Sequence, residues 1–222
     1  MIKKFIRYLV FAVVLILSIL SVSLPIQASS PINTNVTASS DDGYYYGTTI
    51  NLVATYWDMG STAVGLNGLV RFSSVDIPKG ATITVSYITF TSKYSDSGDT
   101  CNVIIYGENP TTDNATSPAT YTTYANASGR TLTSDNVTWS ALGHWTAGST
   151  YPTPSLNILI KGIISNGTWA SGYPMAFQFR NNGSSVNAYR RPDSYDNGSG
   201  AAMLHIEYIT GFKRSFGTIV GN

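Results

Sequence analysis

Beyond residue 40 the apolar positions fall into short runs separated by Gly, Asn, Asp and Pro, at 48–54, 68–72, 81–91, 101–106, 174–180, 186–190 and 202–209. Within several runs the alternation has a period of two, the mark of a strand with one face buried. Leu204, Ile206 and Tyr208 point one way and His205 and Glu207 the other. Val70 and Phe72 are placed inward with Arg71 outward, and Met175, Phe177 and Phe179 inward with Gln178 outward. With Ile83, Val103 and Ile105 these form the expected core. Many short strands punctuated by turns predict an all-β fold, a jelly-roll-type β-sandwich of two antiparallel sheets.

One segment departs from this period. Leu156, Leu159, Ile160, Ile163 and Ile164 recur at helical spacing after Pro154-Ser155, which predicts one short helix capped by Ser155 and packed across an end of the sandwich. Gly162 and the following Ser165-Asn166-Gly167 keep it to about two turns. The polar stretch 108–136 carries few aliphatics and is expected as a long loop or flap.

The first residues belong to a different pattern. Lys3, Lys4 and Arg7 precede an apolar run from Tyr8, and Ile26-Gln27-Ala28 ends in a small residue, so residues 1–28 are expected as a cleaved secretory signal peptide. Residues 29–40 are expected as a flexible leader, 41–210 as the domain and 211–222 as a C-terminal tail. Cleavage would leave 194 residues with ten basic side chains against twelve acidic ones. That balance provides no basic stripe for phosphates, so no nucleic acid partner is expected. The destination is the cell surface or the medium, with no membrane attachment after cleavage.

Only 11% of the chain is charged, and Ser, Thr, Asn, Gly and Tyr dominate its polar surface. Such surfaces suit extracellular β-proteins, and weak charge repulsion also suits self-association. Cys101, the single cysteine, lies beside an apolar run and is expected as a strand thiol rather than a nucleophile. The bases His144 and His205 have no Ser or Cys motif near them, and no nucleophile elbow, zinc-ligating His pair or phosphate loop occurs. The protein is therefore expected not to be an enzyme, a small polysaccharide hydrolase or lyase being the least favoured of the alternatives.

Three constellations remain. Sugar rings stack their C–H faces on exposed aromatics, so Tyr44, Tyr45, Trp57, Trp145 and Tyr195 are candidate ligand contacts, with Arg190 and Asp193 supplying polar groups beside them. Trp139 and Trp169 are assigned instead to the core. Asp41 and Asp42 open the domain among Ser and Gly, oxygen-rich neighbours that a structural calcium selects, although Asp also caps turns. Asn35, Asn114, Asn126, Asn136, Asn166, Asn182 and Asn197 each begin an Asn-x-Ser/Thr triplet, open to glycosylation in a host that modifies asparagine.

Several pieces carry a resemblance. They are Ser40-Asp41-Asp42-Gly43, Leu69-Val70-Arg71-Phe72 leading to Ile77-Pro78-Lys79-Gly80-Ala81, Ile104-Ile105-Tyr106-Gly107-Glu108, Gly167-Thr168-Trp169 and the closing Leu204-His205-Ile206-Glu207-Tyr208. In this order the chain resembles the extracellular jelly-roll modules of DNRLRE type grouped with carbohydrate-binding modules. The resemblance implies the sandwich fold and a polysaccharide or cell-surface glycan as partner. Here the module makes up nearly the whole chain, which equally suits a self-assembling surface-layer, filament or virion-fibre subunit joined through its two ends.

Overall fold

The computed structural model describes residues 27–28, 31–61, 65–96, 98–109 and 121–210. In chain order the strands are β1 (Gln27–Ala28), β2 (Ile32–Asn35), β3 (Asp42–Tyr46), β4 (Thr49–Asn51), β5 (Met59–Gly60), β6 (Asn67–Val75), β7 (Thr82–Thr91) and β8 (Cys101–Glu108). Helix α1 (Tyr124–Ser128), β9 (Leu132–Leu142), β10 (Thr150–Pro152), helix α2 (Asn157–Ser165), β11 (Tyr173–Asn181), β12 (Tyr189–Arg190) and β13 (Met203–Thr210) follow.

Two antiparallel sheets face each other. One has the order β4-β3-β6-β11-β8-β9; in the other β13 pairs with β7 on one side and with β1 and β2 on the other, and β10 extends β7. β5 and β12 form a separate two-stranded ribbon. The chain crosses repeatedly between the sheets, from β6 to β7, β7 to β8, β9 to β10 and β10 to β11, the winding of a jelly roll. Side chains at every second position then fill one shared interior. Val70, Phe72, Val103, Ile105, Met175, Phe177, Phe179, Leu204 and Ile206 are all buried there, with Ile83 packed at the margin.

Helix α2 closes one edge of the sandwich, burying Leu159, Ile160, Ile163 and Ile164. Ser155 Oγ accepts a hydrogen bond from the Asn157 N–H at 3.4 Å, while Leu156 is the residue at the helix boundary. Gly107 on β8 is needed below it, because a Cβ there would stand 2.8 Å from the Ile163 side chain.

The structure corrects three expectations. The leader is not loose, since Ile32–Asn35 pairs with Met203–Ile206 and Val36 is buried in the core. The polar stretch does not run as a loop to residue 136: β9 is eleven residues long, with Val137 opposite Ile105 and Trp139 opposite Val103. It lies at a sheet edge, where one buried row suffices and the rest of the sequence can be polar. A second helix, α1, stands where none was expected, started by the Thr123 hydroxyl accepting from the Asn126 N–H.

The largest cluster of rings sits in the interior. Trp57 meets Phe90 edge-on at 5.2 Å and Phe179 at 5.6 Å, and Trp145 stacks flat on Tyr151 at 4.5 Å. Trp139, assigned to the core, is only half-buried, with its ring 6.0 Å from that of Trp145. Gly68 lies against Trp57 so closely that a Cβ would fall 2.1 Å from the ring.

Candidate functional site

The N-terminal acidic pair and the Tyr195 loop meet at one end of the sandwich. A 3-10 turn over Ser39–Asp41 brings Asp41 to Arg71 on β6, a 2.8 Å ion pair. Asp42 then begins β3 opposite Val70 and is fully buried. Its Oδ2 accepts from the Tyr195 N–H at 2.9 Å, and its Oδ1 has no hydrogen-bond partner. Ser39 Oγ reaches the Leu52 carbonyl at 2.9 Å and Asp196 Oδ2 at 2.7 Å. Burial pushes the Asp42 carboxyl up to about 7; the Tyr195 N–H opposes this, and the nearby Asp196 and Asp41 charges add to it.

A 3-10 turn over Tyr195–Asn197 closes on Gly198 in the left-handed region and shapes a cleft of about 490 Å³. Its walls are Asn35 and Val36 on one side and Tyr195, Asp196 and the stretch 198–201 on the other. Tyr195 is 43% exposed, so its ring is offered to solvent. Gly200 is required by Asp193 beneath it, since a Cβ there would approach Asp193 Oδ2 to 2.5 Å. Asp193 itself is buried, with Oδ1 unpaired and its carboxyl raised by burial against the pull of Lys93.

The two adjacent arginines behave differently. Arg190 is fully buried and donates to the carbonyls of Gly143 at 2.8 Å, Tyr189 at 2.7 Å, Asp99 at 3.0 Å and Leu142. Arg191 faces outward. Its Nε donates to Asp58 Oδ1 at 3.0 Å, and its guanidinium lies over the rings of Tyr189 at 4.7 Å and of Tyr56 and Tyr94 at 5.8 Å each. Lys93 Nζ bonds Asn197 Oδ1, linking this ring cluster to the Tyr195 turn.

These positions correct the aromatic surface expected from the sequence. Trp57 and Trp145 are core residues, at 0% and 2% exposure, because each sits among rings from both sheets and offers no free face. Tyr45 is buried on the outer side of the six-stranded sheet, and Tyr44 is half-buried against the core beside Tyr46. Arg190 and Asp193 are buried supports rather than contacts. Tyr195 alone of the expected ligand residues is exposed.

Of the acidic pair, Asp41 is held by Arg71. Among the described residues no group of three or more His, Cys, Asp or Glu converges, whereas calcium takes 6–8 oxygens, on the general scale of such sites. Asp42 Oδ1 is the oxygen a cation there would meet. Of the glycosylation triplets, Asn35, Asn136 and Asn182 are exposed. Asn126, Asn166 and Asn197 are half-buried, with their side chains bonded to Arg130, Asn109 and Ser199. Asn114 lies outside the described residues.

Sequence reasoning missed a second polar assembly. Gln178 points out of the sandwich as expected, yet it is fully buried because α1 covers that face of the sheet. Its Nε2 donates to Glu108 Oε1 and to the Ala127 carbonyl, both at 2.9 Å, and its Oε1 accepts from Tyr45 at 3.2 Å and from Arg180 at 3.1 Å. Tyr121 donates to Glu108 Oε1 at 2.9 Å. Burial raises the Glu108 carboxyl, and Gln178, Arg130 and Tyr121 resist that rise. Only the turn chemistry of Thr123 in the sequence could have pointed to the covering helix.

No family model matches the chain, and no curated protein matches it. The resemblance to jelly-roll carbohydrate-binding modules rests on the residues quoted for it.

Proposed function

We propose that this is a secreted, non-catalytic β-sandwich module that binds carbohydrate, a polysaccharide or cell-surface glycan, at the Tyr195 cleft. The observation that carries the proposal is the exposed Tyr195 ring beside the Asp196 carboxylate, the Asn35 amide and the backbone groups of Gly198–Gly200. A ring for the apolar sugar face with acceptors and donors around it is the arrangement such ligands need. His205, one of two histidines, is engaged on a sheet face with Asn33 and Glu207 and stacks on Tyr87, and it is not among the residues that line this cleft. Affinity electrophoresis through a panel of soluble polysaccharides tests the proposal. Retardation of the wild type that Tyr195→Ala abolishes supports it, and no retardation by any polymer rejects it.

A self-assembling subunit is the second reading, favoured by the eleven-residue edge strand β9, whose outer N–H and C=O groups can accept a strand from a second copy. The tail 211–222 proposed as the donor lies outside the described residues. Light scattering against concentration separates the readings: a monomer favours glycan binding and growing particles favour assembly.

A further inference from the structure

We infer that Arg191 reads the carboxylate of an acidic sugar, so that the glycan bound by this module contains uronic acid. The inference rests on the carbohydrate proposal above and adds the chemical class of the ligand.

The geometry of the guanidinium is the starting point. Its Nε–H is directed to Asp58, and no described residue accepts from its two terminal nitrogens. Among the described residues nothing occupies the edge formed by those nitrogens, and the side chain is 32% exposed. A planar pair of N–H donors matches a planar carboxylate in two parallel bonds, the strongest polar contact a neutral-pH surface offers. Arg190, singled out from the sequence, cannot serve, because it is fully buried and its donors are turned to four backbone carbonyls.

The surroundings fix this fork in advance. Tyr189, Tyr56 and Tyr94 hold the guanidinium from around its faces, and Tyr56 and Tyr94 brace each other edge-on at 5.3 Å. Tyr94 is 42% exposed and adds a second ring for a sugar face. Little side-chain freedom remains to be lost on binding. The corner also holds Asp58 and Asp96, whose charges oppose an anion, but Arg190 stands close enough to Asp96 to offset part of that repulsion, and burial raises both carboxyls toward their neutral form.

Continuity with the Tyr195 cleft supports one extended site. Arg191 and Tyr195 lie on the same short segment, and the Lys93–Asn197 contact closes the surface between them. A polysaccharide running along 191–197 would place successive sugars on Tyr94 and on Tyr195, with a carboxylate at Arg191.

The test is retention of the purified protein by polygalacturonate, alginate and hyaluronan, each beside its carboxyl-reduced neutral counterpart. The expected result is at least tenfold stronger retention by one acidic polymer than by its reduced form, a preference that sodium chloride weakens and R191Q removes. Retention by the reduced form should fall far less in R191Q than retention by the acidic form. Equal retention of both forms by the wild type overturns the inference while leaving the carbohydrate proposal standing. Retention by none of the six polymers overturns both. Should R191Q fail to fold, R191K decides the matter: it keeps the charge and loses the fork, so full acidic preference in R191K overturns fork recognition and its loss supports it.

Discussion

Asp42 and Tyr195 are 153 positions apart, yet the backbone N–H of Tyr195 rests 2.9 Å from Asp42 Oδ2. The bond ties the first strand of the six-stranded sheet to the loop that offers the exposed ring. The carboxylate is buried, so the position of the cleft wall depends on a group whose charge changes near neutral pH.

That dependence has a definite sign. Folded Asp42 keeps its proton up to about pH 7, while the unfolded side chain releases it near 3.8. Between these values the native state binds more protons, so stability falls as pH rises from 4 and levels off above 7. Asp41, Asp58, Asp96, Asp193 and Glu108 are raised as well and steepen the slope. Asp42→Asn should match the wild-type Tm at pH 4 and exceed it at pH 8, its amide oxygen still accepting from Tyr195. Millimolar calcium supplies a second readout: a rise in wild-type Tm at pH 8 that is absent in the Asn variant would place an ion at Oδ1, and no rise would speak against one.

Trp57 and Trp145 are predicted to act on stability. Truncating either to Ala should cost about 3–5 kcal/mol, the usual range for a buried aromatic, as judged by urea unfolding. Trp57 Nε1 is buried without an acceptor, so Trp57→Phe removes an unmet donor along with volume and should cost less than half as much. Gly68→Ala forces a methyl into the same ring and should destabilise by about 1–3 kcal/mol or more. A Trp57→Ala protein with wild-type stability would contradict the core placement.

The sequence made some of these features legible and hid others for physical reasons. Strands such as β13 and β11 bury one full face, so the period of two exposes them. β9 buries a single row at an edge, and its Ser, Thr, Asp and Asn residues read as loop. Trp57 and Trp145 stand outside any alternating run, so nothing local assigns them a face. Asp41 and Asp42 are recognisable as special by their turn context, but their partners Arg71 and Tyr195 come from 30 and 153 positions away, through sheet topology alone. Gln178 was readable as outward-facing, while the helix that buries it was not.

The two neighbouring arginines should separate in a stability assay. Arg190→Ala takes the donors from four backbone carbonyls, the Leu142 one buried, and leaves a void where the buried side chain stood, which predicts a loss of about 3–5 kcal/mol. Arg191→Ala gives up one partly exposed ion pair and its ring contacts, for about 1 kcal/mol. Similar losses for both variants would show that the exposed guanidinium also supports the fold.

Gln178 is predicted to control the cover over the outer sheet face. Its amide joins β11 to Glu108 on β8, Tyr45 on β3 and the Ala127 carbonyl of α1, so one side chain fastens the helix to three strands. Gln178→Leu keeps most of the volume and removes every bond. Tyr45, Glu108 and Ala127 then each have a buried polar atom short of a partner, at about 1–3 kcal/mol per group where no water reaches it. The core behind Phe177 and Phe179 is untouched, so the sandwich itself should persist. The expected result is faster amide hydrogen exchange confined to 121–131, with protection of β6, β8 and β11 nearly unchanged. Slow exchange retained in α1 would mean that Tyr45, Leu69 and Tyr121 hold the helix by apolar packing alone, and uniform acceleration across both sheets would make Gln178 a support of the whole fold rather than of its cover.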